Sequence, residues 1–460
     1  MADDDNRPTR HRAVPAGRLS RLSSFGKLAG GVAGSVLTGG AQQLARGQRP
    51  SMNQLLLTPA NATRLTEQLS QLRGAAMKLG QMLSLDAGDL LPPELADILA
   101  TLRDRANFMP PAQLDRVLRE EWGADWRKGF RRFDPRPIAA ASIGQVHRAQ
   151  TLDGRDLAIK VQYPGISQSI DSDVDNIATL LRVSGLLPKE LDVAPLLSAA
   201  KAQLHEEADY RREGQMMERY RGLLDGDICF IVPSLDTEHT RSRVLAMSFV
   251  EGDAIEALAS EPQAMRDEVF GHLLELVARE LFAFGLMQTD PNFANYRFQR
   301  SSGRIVLLDF GAARPVDPQI ADVYRKLIEA GLARDNGRVR REVIAAGFIN
   351  EGIAERHRLA FDQIIDIVVT EMNRPGPLDF GDRSFVPQIR ELAMPMARDR
   401  QSWHLPPVET LFVQRKVSGT ALLGARLQAR VDVREVLTRV LAESGQDLAM
   451  SPQGIEDPVK

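Results

Sequence analysis

Four polar residues in this sequence have the types and the order that phosphoryl transfer requires. Asp290 and Asn295 are the ends of an Asp-x-x-x-x-Asn segment, Asp309 begins an Asp-Phe-Gly tripeptide, and Lys160 ends the segment LAIK. Phosphoryl transfer needs a lysine on the phosphates, oxygen ligands for magnesium and a carboxylate near the acceptor. The pattern predicts Lys160 on the phosphates, Asp290 as the catalytic carboxylate, and Asn295 and Asp309 as magnesium ligands.

The order of these parts indicates a kinase-like site more strongly than any one of them. A lone Asp-Phe-Gly is a weak signal, because a strand end followed by a turn glycine also produces it. Here a predicted strand carries the lysine, the Asp-x-x-x-x-Asn loop follows it, and NYRFQ, RSSGR and IVLLDF predict a hairpin that leads to the tripeptide. The combination predicts ATP and Mg²⁺ as cofactors.

The periodicity of the sequence predicts the elements that position these residues. Helical spacing dominates from Ser51 to Trp122, with one helix that begins at the Pro110-Pro111 pair. The segments IAAASIGQVHRA and DLAIKVQY, joined by LDGR, predict two paired strands, and ICFIVPSL and RVLAMSFVEG predict two more. Helices are predicted between these pairs of strands, in MRDEVFGHLLELVARELFAFGL, and after Pro318. This arrangement predicts an α+β fold.

Two departures from ordinary protein kinases stand out. Before Lys160, where kinases have a glycine-rich phosphate cover, the sequence is AAASIGQVH, with Gly144 as its one glycine. Alanine cannot adopt a positive φ as cheaply as glycine, so we expect nucleotide to be held differently. After Asp309 a predicted helix follows almost at once and no Ala-Pro-Glu segment occurs, so the usual platform for a peptide substrate is missing.

The composition describes a globular protein with no global charge bias. The chain has 460 residues, of which 43% are hydrophobic, and a formal net charge of −3. This charge gives no general attraction to nucleic acid. The single cysteine, Cys229, excludes an internal disulfide and a cysteine-cluster metal site, and fits a reducing compartment. No apolar run reaches the roughly 18 residues of a membrane span, and the acidic N-terminus is unlike a signal peptide, so we expect a cytoplasmic protein.

A basic segment precedes the predicted fold. Residues 7–49 contain Arg and Lys but no Asp or Glu, and include FGKLAGGVAGSVLTGG. One interpretation is a flexible leader, because so few large apolar residues cannot form a core. The other is an interfacial element, within residues 18–40, whose Arg18, Arg21 and Lys27 meet anionic lipid head groups. The second interpretation predicts peripheral membrane association.

Several further motifs carry a family resemblance. KLGQ at Lys78 to Gln81, the alanine-rich AAAS and EAD at Glu207 to Asp209 resemble signatures of the UbiB (AarF) family of atypical kinase-like proteins. The loop QTDPNFAN resembles the coenzyme Q biosynthesis branch of that family, which includes mitochondrial members. The resemblance extends over roughly residues 70–420. It implies a two-lobed, protein-kinase-like fold with an N-terminal helical extension and a helix-rich C-terminal lobe.

The resemblance also implies roles for residues outside the four-residue pattern. Lys78 and Gln81 would occlude the space that a peptide uses, with Glu207 as the partner of Lys78 and Asp209 in the same Glu-x-Asp motif. Glu213 would pair with Lys160, although Glu206 remains a second choice from spacing alone. The implied domains are a leader at 1–50, the helical extension at 51–128, an N-lobe at 129–252 and a C-lobe at 253–460.

The nucleotide is expected to contact two segments of the N-lobe. The strand RVLAMSFVEG resembles a kinase hinge. The predicted nucleotide-binding residues, besides Lys160 and Glu213, are Ala139, Ala140, Ala141 and Ser142 around the phosphates, and Met247 with the backbone of Ser248 and Val250 around the adenine.

The predicted function combines the site with the resemblance. The residues predict an ATP- and Mg²⁺-dependent kinase-like ATPase, and the resemblance implies a role in ubiquinone biosynthesis at or near membrane lipids or ubiquinone intermediates, with other biosynthetic proteins as partners. Two alternatives remain open. One is a protein or small-molecule kinase, which would need an open acceptor cleft. The other is a catalytically idle ATP-binding scaffold, which would be expected to lack a metal ligand or the lysine.

Overall fold

The computed structural model describes residues 108–183, 194–399 and 407–450. These residues belong to two compact units. Unit 1 includes the described residues up to Gly222, with Pro233–Val250 and Asp309–Ala312. Unit 2 consists of Leu223–Val232, Glu251–Leu308 and the described residues from Ala313 onwards.

An antiparallel sheet forms the centre of unit 1. Its strands run in the order β1-β3-β4-β6, and β2 pairs with β3. The strands are β1 (Phe130–Phe133), β2 (Ala139–Ala140), β3 (Gly144–Thr151), β4 (Asp156–Gln162) and β6 (Val244–Ser248). β3 and β4 form a hairpin closed by a turn in which Gly154 has a φ of +95°. The strand predicted over DLAIKVQY is therefore confirmed, whereas the single strand predicted over IAAASIGQVHRA is divided into β2 and β3, which pair with each other.

Among the described residues of unit 1, four helices accompany this sheet. The helix predicted after the proline pair is confirmed, because Pro111 occupies its first turn, where a missing N–H costs nothing. The last of the four begins directly after Asp209, whose Oδ1 accepts hydrogen bonds from the backbone N–H groups of Arg211 and Arg212 at 3.1 and 3.0 Å. The helices are α1 (Pro111–Trp122), α2 (Ile166–Val183), α3 (Ala194–Glu207) and α4 (Tyr210–Leu223).

A buried histidine on β3 makes the stability of unit 1 sensitive to pH. His147 is fully buried, and its Nδ1 and Nε2 lie 2.9 Å from the Asp134 carbonyl and from Gln145 Nε2. Burial lowers the pKa of His147 from 6.5 to about 4. In the unfolded chain this imidazole takes up a proton once the pH falls below 6.5. In the folded protein it stays neutral until the pH approaches 4.

We expect acid to destabilise unit 1 through His147, by about 1.4 kcal/mol per pH unit as pH falls from about 6.5 to about 4. Urea unfolding at several pH values should show this slope in the wild type and a smaller slope in His147→Asn. His205→Asn, at an exposed site, is the matched control. Equal slopes for the wild type and His147→Asn would contradict the prediction.

Unit 2 contains a small sheet and a group of helices. The sheet has the order β5-β10-β9-β7, and β9 and β10 form the hairpin predicted before the Asp-Phe-Gly tripeptide. β8 pairs separately with β11, and β12 with β13. The strands are β5 (Phe230–Ile231), β7 (Asp253–Ala254), β8 (Leu286–Gln288), β9 (Tyr296–Gln299), β10 (Arg304–Leu307), β11 (Ala313–Pro315), β12 (Leu378–Asp379) and β13 (Arg430–Val431).

The strand predicted over ICFIVPSL is much shorter than expected. Only Phe230–Ile231 is a strand, and it pairs in parallel with β10. Pro233 lacks an N–H group and cannot continue the ladder, so the extended pairing stops before it.

The helices of unit 2 pack around two clusters of buried side chains. One cluster includes Val277, Leu281 and Val413, and the other includes Val339 and Phe361. They are α5 (Gln263–Arg279), α6 (Pro318–Leu332), α7 (Asn336–Ala345), α8 (Glu351–Arg356), α9 (Arg358–Met372), α10 (Phe385–Arg398), α11 (Val408–Leu427) and α12 (Val433–Met450). A π-helix, Glu280–Phe284, directly continues α5 and ends at Gly285, which has a φ of +57°.

The described part of the chain contains no helix that is both long and apolar enough to cross a bilayer. The predicted interfacial segment at 18–40 and the KLGQ motif with Lys78 and Gln81 lie outside the described residues.

Candidate nucleotide and magnesium site

Lys160 lies at the centre of a buried cluster of charges in unit 1. It is carried by β4, where Val146 and Leu245 are its neighbours on the two adjacent strands. Its Nζ donates to Glu213 Oε1 and Oε2 at 2.7 and 2.9 Å, and to Asp309 Oδ2 at 3.2 Å. Both Lys160 and Glu213 are buried. The structure therefore brings together three residues that the sequence placed far apart.

Glu213, rather than the second choice Glu206, is the partner of Lys160. Asp209 caps α4, and Glu213 lies in the first turn of that helix, where its backbone N–H donates to the Asp209 carbonyl at 2.9 Å. Glu206 lies instead 3.8 Å from Arg212 Nη2. The long stretch of chain between Lys160 and Glu213 contains α2 and α3. It brings Glu213 back to β4, as predicted.

One ammonium group in this cluster faces two carboxylates. Burial raises the pKa of Glu213 to about 7, against the lowering effect of Lys160, and the nearby Asp309 charge adds to the rise. Burial also lowers the pKa of Lys160, but Asp309 and Glu213 outweigh it and hold that pKa well above 10.5. Lys160 therefore stays charged, and its ammonium group is shared between the two carboxylates.

The Asp-Phe-Gly tripeptide is fixed to α4 within unit 1. Asp309 Oδ1 accepts a hydrogen bond from the Gly311 N–H at 3.0 Å, and Arg212 Nη1 donates to the Gly311 carbonyl at 3.0 Å. The ring of Phe310 is buried, and its centroid lies 5.1 Å from that of Tyr220. These contacts hold the Asp309 carboxylate, whose side chain is 32% exposed, at the edge of the Lys160 cluster.

Asp290 and Asn295 lie together in unit 2. Asn295 Nδ2 donates to the Asp290 carbonyl at 3.2 Å, and Leu308, at the end of the β9–β10 hairpin, donates its N–H to the Asn295 carbonyl at 3.0 Å. The Asp290 N–H donates to Gln288 Oε1 at 2.8 Å. Oδ1 of Asp290 is buried and has no hydrogen-bond partner within the part of the chain that the structure describes.

These residues fit the group that phosphoryl transfer needs. Asn295 and Asp309 offer the carbonyl and carboxylate oxygens that Mg²⁺ prefers. The buried Oδ1 of Asp290, which has no hydrogen-bond partner among the described residues, favours a cation or a proton donor at its position. The roles of all four residues stay predictions.

The alanine-rich segment has ordinary backbone geometry. Ala139 and Ala140 pair with β3, and the Ala141 N–H donates to the Gly144 carbonyl at 2.9 Å. Ser142 Oγ donates to Glu207 Oε2 at 3.3 Å. In the described ranges, Arg334 and Gln428 are the non-glycine residues with positive φ, so none of these alanines adopts the backbone of a glycine-rich cover.

One of the two backbone groups of Ser248, at the predicted adenine contact, is engaged within the sheet. Met247 is buried near the end of β6, as expected. The N–H of Ser248 donates a hydrogen bond to the Ser234 carbonyl at 2.9 Å. An adenine base could therefore form a backbone hydrogen bond only with the carbonyl of Ser248. The N–H of Phe249 likewise donates a hydrogen bond to the Asp156 carbonyl at 2.9 Å. The contact predicted at Val250 stays a prediction.

Tyr210 is a site residue that the sequence reasoning missed. Its ring is fully buried and its centroid lies 5.2 Å from Lys160 Nζ, which is a cation–π contact. Its hydroxyl faces Gly144, because a Cβ at Gly144 would lie 2.6 Å from that oxygen. The signal available was its position, directly after the Glu-x-Asp motif.

Comparison with known proteins identifies the family. Residues 101–343 match the model of the ABC1 atypical kinase-like domain. The chain belongs to this family. It is 36% identical to the "Atypical kinase COQ8, mitochondrial" of Saccharomyces cerevisiae, over 94% of this chain and 86% of the relative. It is also 36% identical to the "Atypical kinase COQ8B, mitochondrial" of Danio rerio, over 95% of this chain and 70% of the relative.

A solved structure supports the fold. The complex of Rv3197 with erythromycin from Mycobacterium tuberculosis aligns with a TM-score of 0.57 and 23% identity, covering 83% of this chain and 95% of that one. At this identity the likeness concerns the fold alone. The predicted resemblance to the UbiB family, the α+β kinase-like fold and the assignment to the atypical kinase class of enzymes are confirmed.

Gly144→Ala should weaken nucleotide binding by distorting the β3–β4 hairpin beside Lys160. A Cβ at this position would lie 2.5 Å from the Val161 carbonyl oxygen, and a backbone atom cannot yield as a flexible side chain can. We expect a loss of about 1–3 kcal/mol in stability and a smaller nucleotide-induced melting shift. Gly129→Ala is the matched control, because no atom lies within 4 Å of its added Cβ. Equal melting behaviour of the two variants would contradict the prediction.

Proposed function

We propose that this chain is an ATP- and Mg²⁺-dependent kinase-like ATPase that supports ubiquinone biosynthesis. The observation that carries the proposal is the contact of the buried Lys160 with both Glu213 and Asp309 in a chain of the ABC1 family. In this proposal Lys160 contacts the phosphates and Glu213 orients it. Asp309 and Asn295 hold Mg²⁺, which neutralises charge on the phosphates when bound.

Asp290 is proposed as the catalytic carboxylate. Its backbone is held by Gln288 and Asn295, while its buried Oδ1 has no hydrogen-bond partner in residues 108–183, 194–399 and 407–450. A buried oxygen without a hydrogen-bond partner costs free energy unless a ligand supplies a donor or a cation. In this proposal it accepts the proton of the attacking water or hydroxyl group.

The nucleotide is proposed to lie along the strands of unit 1. The phosphates would meet the alanine-rich segment, Ala139 to Ser142, and the base would meet Met247, the carbonyl of Ser248 and the backbone of Val250. Because the alanines keep ordinary backbone geometry, we expect a looser phosphate cover than a glycine-rich loop provides.

The pathway and the lipid partner rest on relatives and on the sequence. The COQ8 relatives and the coenzyme Q branch motif QTDPNFAN support a role in ubiquinone biosynthesis. The missing Ala-Pro-Glu segment supports a substrate other than a peptide. We propose peripheral membrane association through residues 18–40, at the cytoplasmic face, with ubiquinone intermediates or other biosynthetic proteins as partners.

A phosphate-release assay tests the enzymatic part. Purified protein should release phosphate from ATP only with Mg²⁺, and more rapidly when vesicles of anionic phospholipid are present. The deletion of residues 18–40 should remove the stimulation by vesicles and keep the basal rate. A protein that releases no phosphate under any of these conditions would contradict the proposal, and transfer of label from ATP to added protein would favour a protein kinase.

A complementation assay tests the pathway. In a strain that lacks this protein, the wild-type chain should restore ubiquinone and Lys160→Met should not. Lys326→Met, in the exposed pair with Asp322 on α6, is the matched control. Restoration of ubiquinone by a catalytically inactive but folded variant would indicate a scaffold instead of an enzyme.

A further inference from the structure

A second buried lysine lies in unit 2, within a network of polar side chains. Lys416 Nζ lies 3.1 Å from Glu280 Oε2, and both side chains are only 1% exposed. The same Nζ also donates to the hydroxyl of Tyr296 at 2.9 Å. None of these three residues belongs to the nucleotide and magnesium site proposed above.

Lys416 and Glu280 form an ion pair although both side chains are buried. Burial lowers the pKa of Lys416, but Glu280 and Tyr296 outweigh it and raise that pKa above its usual 10.5. A buried ion pair of this kind is often no more stable than well-packed apolar residues of the same volume. Its presence therefore points to a requirement for defined side-chain positions rather than for stability.

Glu280 connects the network to the segment before Asp290. Glu280 is the first residue of the π-helix that continues α5. Its Oε1 accepts a hydrogen bond from the Gln288 N–H at 3.4 Å, and Gln288 Oε1 accepts from the Asp290 N–H at 2.8 Å. A π-helical turn re-aims a side chain relative to a regular helix, and such turns are frequent at functional sites.

Two further contacts join α11 to the loop that follows Asp290. Tyr296 directly follows Asn295, so the hydroxyl that Lys416 holds belongs to the residue next to the proposed metal ligand. Gly419 lies one turn after Lys416 on α11, and a Cβ there would lie 2.0 Å from Pro291 Cβ. The helix thus contacts the loop on the same face that presents Lys416.

We propose that Lys416 is a positioning residue for the catalytic loop. Through Glu280 and Gln288 it fixes the backbone on the N-terminal side of Asp290, and through Tyr296 it fixes the side that carries Asn295. The proposal rests on the proposed function, since it assumes that Asp290 acts in catalysis. Misplacement of a reacting group by about 1 Å can cost about 100-fold in rate, so the loss of this support should lower turnover.

The test compares turnover with nucleotide binding. Lys416→Met alone would leave the Glu280 carboxylate buried and unpaired, so the main variant is Lys416→Met combined with Glu280→Gln. We expect kcat for ATP hydrolysis to fall about 10- to 100-fold while the Kd for the Mg²⁺ nucleotide stays within about twofold. A merely structural role would lower the folded fraction and so reduce binding and turnover together. Lys326→Met, in an exposed pair of unit 2, is the matched control and should leave both unchanged.

Tyr296→Phe gives a second test that keeps the fold, because it removes only the hydroxyl that Lys416 contacts. It should lower kcat about threefold or more with unchanged nucleotide binding. A folded double variant with wild-type kcat would overturn the proposal, and so would wild-type kcat in Tyr296→Phe if the double variant fails to fold. Failure of the proposed function is separate, because then Asp290→Asn would turn over ATP like the wild type.

Discussion

Asp290→Asn should bind ATP with Mg²⁺ as well as the wild type and hydrolyse it about 10²–10⁴ times more slowly. Asparagine has almost the same shape as aspartate and keeps the backbone contacts with Gln288 and Asn295. It cannot accept the proton that the attacking group loses. The loss should therefore appear in turnover and leave binding intact.

Steady-state phosphate release measures the rate, and the nucleotide-induced melting shift measures binding. Asp322→Asn, at an exposed position on α6, is the matched control and should retain both. Wild-type turnover in Asp290→Asn would remove this residue from the mechanism. A loss of binding equal to the loss of turnover would show that Asp290 belongs to the nucleotide site instead.

Asp309→Asn should abolish Mg²⁺-dependent nucleotide binding. The carboxylate provides both an oxygen and a negative charge to the cation, and the amide provides only the oxygen. The same change removes one of the two carboxylates that face Lys160. Nucleotide at a hundred times its Kd should stabilise the wild type by about 2.7 kcal/mol, and the variant should lose that gain.

Thermal unfolding with ATP, in the presence of Mg²⁺ and of a chelator, measures this effect. In the wild type the melting temperature should rise only when Mg²⁺ is present, and in Asp309→Asn it should not rise in either condition. The variant must melt cooperatively without ligand for the comparison to hold. An undiminished Mg²⁺-dependent rise would rule out Asp309 as a metal ligand.

Local patterns in the sequence predicted the parts of the site that depend on neighbouring residues. Alternation of polar and apolar residues predicted β3 and β4, and thereby the placement of Lys160. A turn between two short alternating runs predicted the β9–β10 hairpin before Asp309. In both cases the information lies within about ten residues, which is the range over which strand pairing in a hairpin is decided.

Contacts between distant segments were harder to predict. The choice between Glu206 and Glu213 depends on where α4 begins, and the cap at Asp209 fixes that start. An aspartate three residues after Glu206 is a residue type that often begins a helix. Nothing in the sequence distinguishes Lys416 from an exposed lysine, because its burial depends on packing against segments more than a hundred residues away. The predicted β5 was too long because the prediction followed the apolar residues of ICFIVPSL and ignored Pro233, before which the strand ends.

The shared ammonium group at Lys160 has a consequence for the order in which ligands arrive. Free ATP is a polyanion, and the two carboxylates that face Lys160 would repel it while that ammonium is already engaged. If Asp309 is a metal ligand as proposed, a bound cation would pair with its carboxylate and leave Lys160 able to contact the phosphates. Under the proposed function the cluster would favour the metal complex of ATP over free ATP, so turnover would fall when magnesium is scarce even if ATP is abundant.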